Sequence, residues 1–362
     1  MATTATTATM TSKFPVRRVE RSRRPSVDFD NLPFGSIWSD HMFVADNIDG
    51  AWTGAEIRPY GPMEIYPSSK ALQYAVSMFE GFKAHKTPEG DLVVFRPDMN
   101  QKRFNRTASR FVMPELPEEL FFDAMRELLD VDRGWLPDAA QGALYIRPSY
   151  FGTDPTLNVT PGRSFRFVLM TTPVGLYFTG SQTVSLVATR KFVRAFPGGT
   201  GAHKPAANYG PTMLASVHAQ EQGYDNVIWL DGHEGRFVEE CGVMNMWFVI
   251  DGTAITPPLE GTILPGVTRD SLIQLCADFG IPCEERRISV EELLDAHAAG
   301  TFEEAFGSGT AATVQPIDRL GLDGTDVTLP QHPDSVAARL KAELYGIQTG
   351  RIEDRHGWLW RP

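Results

Sequence analysis

Residues 198–212 read GGTGAHKPAANYGPT and set one lysine, Lys204, at the end of a glycine-rich run with a tyrosine, Tyr209, five positions on. Most lysines are solvated surface charges. Around this one stand Gly198, Gly199, Gly201, Pro205, Ala206 and Ala207, small or rigid residues that leave room close to the backbone and bring no competing charge. That setting suits a reactive amine better than a salt bridge. Further along, Glu240 lies in FVEECGVMN, Leu264 opens LPGVTR and Thr310 ends FGSGT. Upstream stand Arg103 in FRPDMNQKRFNR and the pair Tyr145 and Arg147 in LYIRP. The chain carries no GxxxxGK[ST], HExxH or GxSxG pattern and no metal-spaced His/Cys set, which sets aside phosphate-loop, zinc-protease and serine-hydrolase chemistry.

The elements that must position these residues divide into two groups. From about Asp40 to Thr172, short apolar segments such as DLVVFRP, GALYIRPSYF and FRFVLMTTP alternate with turn signals. Between them run two helical patterns, from Asn100 and from Glu119. This predicts a small α+β domain over 30–172. PVGLYFTGSQT, residues 173–183, has one proline and two glycines between strand-like runs and is expected to be the interdomain loop. A larger mixed α/β domain follows over 184–362. Its predicted strands are VSLVAT, NVIWLD, NMWFVI and AITPPL, and its predicted helices PTMLASVHAQEQG, TRDSLIQLCADFG and SVEELLDAHAAG. Residues 1–29, rich in Thr, Ala, Ser and Arg, read as a disordered tail, with an organellar transit peptide as the other reading.

Pyridoxal phosphate makes demands that this set can answer. It takes a lysine for its Schiff base, an acid at the pyridine nitrogen, a donor at the ring hydroxyl, an apolar face against the ring and a cup for its phosphate dianion. Gly266-Val267-Thr268 opens a predicted helix, whose free N–H groups and dipole favour phosphate. Ser308-Gly309-Thr310 is a second small polar turn, and Arg103 offers a fork matched to phosphate oxygens.

With GGTGAHKPAANYGPT, EECGVMN, GTILPGVTR and GSGTA in this order, the sequence resembles the branched-chain aminotransferases of the fold-type IV pyridoxal-phosphate enzymes. The likeness runs from WSDHM at 38–42 to FGSGTAATVQP at 306–316. The resemblance implies a fold like that of D-amino acid aminotransferase. It makes Lys204 the catalytic amine, Glu240 the acid at the ring nitrogen and Tyr209 the donor to the ring hydroxyl, with Leu264 packed on the ring. Arg103, Val267, Thr268 and Thr310 become the phosphate cup. It further implies an aromatic substrate pocket of Trp38, Tyr74, Phe79, Tyr145 and Tyr177, with Val159 reaching in from a dimer partner and Thr310 and Ala311 holding the substrate carboxylate by their backbones. Arg147 is expected to pair the γ-carboxylate of glutamate when glutamate and an apolar amino acid use one site in turn. The implied activity is transamination between leucine, isoleucine or valine and 2-oxoglutarate. Same-fold alternatives are an aminotransferase for an unusual amino acid, D-amino acid transfer or aminodeoxychorismate lysis; a catalytically silent cofactor-binding protein is the alternative from another class. The chain departs from the family pattern at Ala206-Ala207, where two glycines are common, and at Val243, where threonine or glycine is usual; both put substrate identity in question.

Bulk properties agree with an enzyme of small molecules. The 362 residues exceed what one core usually serves. The net charge of −11 argues against nucleic acid or an anionic membrane as partner. Three cysteines without metal spacing are expected to be core thiols in a reducing compartment, and a cytoplasmic homodimer is expected.

Overall fold

The computed structural model describes residues 12–175 and 183–362. The first group of strands is β1 (His41–Ile48), β2 (Ala51–Pro59), β3 (Ser77–Phe79), β4 (Phe82–Lys86), β5 (Leu92–Phe95), β6 (Gly142–Gly152) and β7 (Ser164–Gly175). With a C-terminal strand described below, they form an eight-stranded sheet among the described residues, in which β6 and β7 pair along eleven residues of each and carry the middle. Helices α2 (Pro97–Arg110) and α3 (Glu118–Val131), which follow the short α1 (Lys70–Tyr74), lay their apolar stripes on one face. Phe104, Phe121, Met125 and Leu128 meet Phe43, Phe82 and Tyr150 there, the spacing of three and four that the sequence shows. The other face of β4 and β6, carrying Lys83, Tyr145 and Arg147, is left for chemistry.

The second group runs β8 (Val184–Thr189), α4 (Thr212–Glu221), β9 (Asn226–Leu230), β10 (Val238–Cys241), β11 (Met244–Ile250), β12 (Thr253–Thr256), α5 (Val267–Phe279), β13 (Cys283–Glu285), α6 (Val290–Ala299), β14 (Phe302–Gly309), β15 (Thr313–Leu322), β16 (Thr325–Thr328) and α7 (Val336–Gln348). Strand order is β10-β9-β8-β15-β14-β11-β12-β13, and β10 pairs β11 as well, so six strands close into a ring. β8 pairs in parallel with β9 and β15, while the rest of the ring is antiparallel. The ring encloses Ile228, Met246, Phe248, Ile317 and Leu320, and α5 and α7 cover the outer face through Leu272, Leu275, Leu340 and Leu344. Cys241 and Cys276 are buried and Cys283 half-buried, all three free.

Four expectations need correction. Residues 12–29 are not a loose tail: Val16 bridges Ile57, Phe14 packs on Phe43 with ring centroids 5.0 Å apart, Lys13 pairs with Asp123 at 2.7 Å, and Ser22 and Arg23 bond to the buried Asp40. Two apolar anchors and a few ion pairs suffice to hold a segment whose average composition is polar. Pro173, Val174 and Gly175 continue β7 rather than beginning a loop, since β6 supplies their backbone partners; residues 176–182 of the expected loop lie outside the described residues. The strand expected over AITPPL ends at Thr256, because Pro257 and Pro258 have no N–H to pair. Finally, the chain end does not stay with the second group: β17 (Leu359–Trp360) joins the first sheet at β5, so the polypeptide closes across both parts.

Candidate active site

Lys204 is held at both backbone groups before its side chain does anything. Its N–H donates to Thr107 Oγ1 on α2 at 3.1 Å, and its carbonyl accepts from the Phe79 N–H on β3 at 3.3 Å. The glycine-rich run ahead of it is tied by Asn208, whose amide donates to the Thr200 and His203 carbonyls and accepts from the Thr200 hydroxyl. A single turn of 3-10 helix, Ala206–Asn208, then brings Tyr209 back so that its hydroxyl lies 2.9 Å from Lys204 Nζ. Phe79 stands against both, 4.8 Å from the Tyr209 ring and 5.2 Å from Nζ. The amine, the phenol and an apolar face are thus one cluster.

Glu240 sits on β10 where that strand pairs with β9 and β11 at once. One carboxylate oxygen accepts from the Leu264 N–H at 2.5 Å and pairs with Arg194 at 2.9 Å. Burial pushes this carboxyl above its ordinary value; Arg194, the Leu264 N–H and the Lys204 charge pull it back without cancelling the burial. Glu239, its neighbour, turns away. It accepts from the Thr262 hydroxyl, lines a different cavity with Phe196, Phe237 and Arg287, and is also pushed up by burial.

The segment between Leu264 and α5 is braced from two sides. Asn245 on β11 donates to the Leu264 carbonyl at 2.9 Å, and Arg103 on α2 donates to the Pro265 carbonyl at 2.9 Å. A Cβ at Gly266 would overlap Asn245 Oδ1 and so push aside the amide that holds Leu264. Val267 and Thr268 then begin α5, both buried, and border one narrow cavity with Thr310, Lys83 and Asn100. Helix N–H groups without intrahelical partners and two threonine hydroxyls meet there, the donor set that a phosphate takes.

Arg103 does not line that cavity. Its Nε and Nη2 grip both oxygens of Glu80 at 2.6 and 2.8 Å, and both side chains are buried. Of its five N–H bonds, two remain after Glu80 and Pro265 are served. The guanidinium is thus a brace for the loop that leads into α5, with two N–H groups to spare.

On the substrate side, Arg147 lies over the Phe79 ring at 4.6 Å and the Tyr145 ring at 5.3 Å, and its Nη2 donates to the Tyr145 hydroxyl at 3.3 Å. Among the described residues it has no carboxylate partner, and its buried Nε has no acceptor. β6 continues past Arg147 to Gly152. The Tyr145 hydroxyl crosses Gly81 so closely that a Cβ would overlap it. Ala311 lies in the turn after Thr310, its carbonyl capped by Lys83 Nζ at 2.8 Å.

Other expected pocket residues stand apart within this chain. Trp38 stacks on Tyr60 at 5.2 Å, Tyr74 ends α1 with its hydroxyl on the Leu157 carbonyl, and Val159 is 84% exposed. Tyr177 lies outside the described residues. The structure also adds Glu80, Arg194 and Asn245, which sequence reasoning passed over. Each is a lone polar residue inside an apolar run, MFEGF, FVRAF and MNMWF, and that interruption is the signal that could have found them.

Residues 77–320 match the family amino-transferase class IV. The chain is a class IV aminotransferase. A branched-chain-amino-acid aminotransferase of Mycobacterium tuberculosis is 43% identical over 336 residues, covering 91% of each chain. Among solved structures, the branched-chain aminotransferase from Thermoproteus uzoniensis with norvaline has a TM-score of 0.73 at 27% identity, covering 89% of this chain and 99% of that one. The branched-chain amino acid aminotransferase from Escherichia coli likewise has a TM-score of 0.73 at 27% identity, covering 89% and 99%. The cofactor of this aminotransferase is pyridoxal 5'-phosphate, and its residues fit that group: an amine beside a phenol, a buried acid in need of a cation, an apolar ring face and a helix N-terminus for the phosphate.

Proposed function

We propose that this aminotransferase moves an amino group between a branched-chain L-amino acid and 2-oxoglutarate, with Lys204 as catalytic residue. The observation that carries the reading is the contact chain from Lys204 Nζ through Tyr209 and Phe79 to Arg147. It joins the amine to an apolar wall and to a guanidinium lacking a carboxylate partner among the described residues. An apolar side chain packs on such a wall, and a γ-carboxylate ends at such an arginine, so one site serves both amino acids. The cofactor supplies an electron sink for the charge left at the substrate Cα. Lys204 carries the proton to and from that carbon, Tyr209 holds its amine in place and donates to the ring hydroxyl, and Glu240 keeps a proton on the ring nitrogen. Val267, Thr268 and Thr310 hold the phosphate, with Arg103 supporting from behind. Leu264 packs on the ring, and the turn at Thr310 and Ala311 receives the substrate carboxylate.

The experiment is a spectrum of the purified holoenzyme during single-turnover addition of leucine, isoleucine, valine and glutamate. We expect a yellow protein that bleaches with each of the four, and borohydride treatment that leaves the cofactor mass on the peptide containing Lys204. No reaction with the three branched-chain acids would shift the substrate to another class, with Ala206, Ala207 and Val243 as the residues responsible.

We further propose a homodimer in a reducing compartment, the cytoplasm. Val159, Leu157, Met213, Leu214 and Val217 expose apolar surface that a second copy would cover, and the free thiols suit reducing conditions. A second copy would bring Val159 and Tyr74 to the site opposite, joining Trp38 and Tyr177 in its aromatic lining. Light scattering at micromolar protein that returns the mass of one chain would end the dimer reading.

A further inference from the structure

A third cavity, of about 280 Å³, lies on the face of β4 that also borders the turn after Thr310. Its walls include Lys83 and His85 of β4, Ala143 of β6, Ala311 of the turn, and Lys341 and Tyr345 of α7. Three of these are bases and none of the lining residues is an acid, although the chain as a whole carries a net charge of −11. His85 is 2% exposed, and neither ring nitrogen has a hydrogen-bond partner. Lys341 has no ion-pair partner among the described residues, and Lys83 spends one N–H on the Ala311 carbonyl.

A buried imidazole with a donor and an acceptor both unmet is a rare arrangement, and neighbouring ammonium groups without a carboxylate compound it. We propose that this cavity binds a small carboxylate with a short apolar tail, at a site that borders the Ala311 turn but is lined by none of Lys204, Tyr209, Phe79 or Arg147. The carboxylate oxygens would take the Lys341 and Lys83 ammonium groups, with the His85 ring behind them in the inner wall, and the tail would lie on Ala143, Ala311 and the Tyr345 ring. The titration behaviour of the three bases agrees. Burial, then the Lys83 charge, brings His85 down to about 3, burial alone brings Lys83 to about 8, and burial also lowers Lys341. Each resists charging for want of an anion, which a bound carboxylate would provide. The largely apolar walls favour a carboxylate tail over inorganic phosphate, which would leave them wet.

The test is a titration of the holoenzyme with isobutyrate, followed at the His85 ring resonances by proton–carbon NMR, with His85→Leu to assign them. We expect a saturable shift at His85 whose midpoint rises on the order of tenfold or more in Lys341→Met and does not move in Arg147→Met. Turnover without isobutyrate should stay at the wild-type value in Lys341→Met. If His85→Leu does not fold, equilibrium dialysis of isobutyrate against wild type and Lys341→Met gives the same comparison. No saturable binding, an equal midpoint in wild type and Lys341→Met, or a midpoint that responds to Arg147→Met instead would overturn the proposal, the last because the carboxylate would then sit in the substrate pocket. Binding of phosphate without isobutyrate would overturn it too. None of these outcomes bears on Lys204, so failure here is distinct from failure of the transamination reading.

Discussion

Two adjacent carboxyls, Glu239 and Glu240, show how much one strand position decides. Both are buried and both are pushed up by burial, so charge and burial alone do not separate them. Direction does: Glu240 meets Arg194 and Leu264 on the Lys204 side, and Glu239 meets Thr262 in another cavity. Glu240→Gln is therefore expected to retain cofactor and slow the half-reaction by roughly 10² or more, since a ring nitrogen that loses its proton stabilises the carbanion less. Glu239→Gln should be far milder, and stopped-flow absorbance compares them directly; the reverse order would mean that the facing assignment is one residue off. Arg147 carries the second test at this scale. Arg147→Met should weaken the glutamate half-reaction by about 2 to 4 kcal/mol and leave that of leucine nearly unchanged, because only glutamate loses an ion pair. An equal loss for both would make Arg147 a wall residue rather than a carboxylate partner.

At the scale of elements, the site depends on α2 more than on any strand. Thr107 fixes the Lys204 backbone, Arg103 fixes the loop before α5, and Asn100 shares Glu80 with Arg103. Burial pushes the Glu80 carboxyl up, yet the Arg103 charge and hydrogen bonds, with Lys204 and Asn100, outweigh it and hold the group below its ordinary value of 4.5. A carboxyl lowered in the fold stabilises the fold above its unfolded value, and that contribution is lost as pH falls through the folded value. Wild-type melting temperature should thus drop as pH is lowered below about 4.5. Glu80→Gln should be less stable at pH 7 by about 3 to 5 kcal/mol, leaving Arg103 buried and unpaired, and should show a flatter acid limb in calorimetry. Parallel acid limbs in the two proteins would show that other carboxylates set the acid sensitivity.

The first sheet is completed by two segments far apart in the chain. Residues 12–29 cross the first sheet, and Leu359–Trp360 return from the second group to extend it. Deletion of residues 1–27 removes the Phe14 contact on Phe43 and strips Asp40 of Ser22 and Arg23, so it should lower the melting temperature. An unchanged melt would mean that the segment only rests on the sheet. Sequence alone determined the helices α2 to α6 and the strands β5 to β9, β11 and β12 through local pattern, apolar spacing of three and four above all, and the reaction chemistry through its resemblance to a known family over four motifs in order. It did not disclose α7, although Ala337, Leu340, Leu344 and Ile347 recur at three and four, nor strands β1, β14 and β15 and the closing of β10 on β11 across a tight turn, nor β17 and the packed leader, whose partners lie far along the chain. Nor did it show that Glu80 takes the fork of Arg103, or that His85 faces a cavity with no partner. A side chain's type announces what it can bind, but which groups reach it is settled only when β3, α2 and the loop before α5 are folded against one another, since buried pairing is a property of the assembled interior.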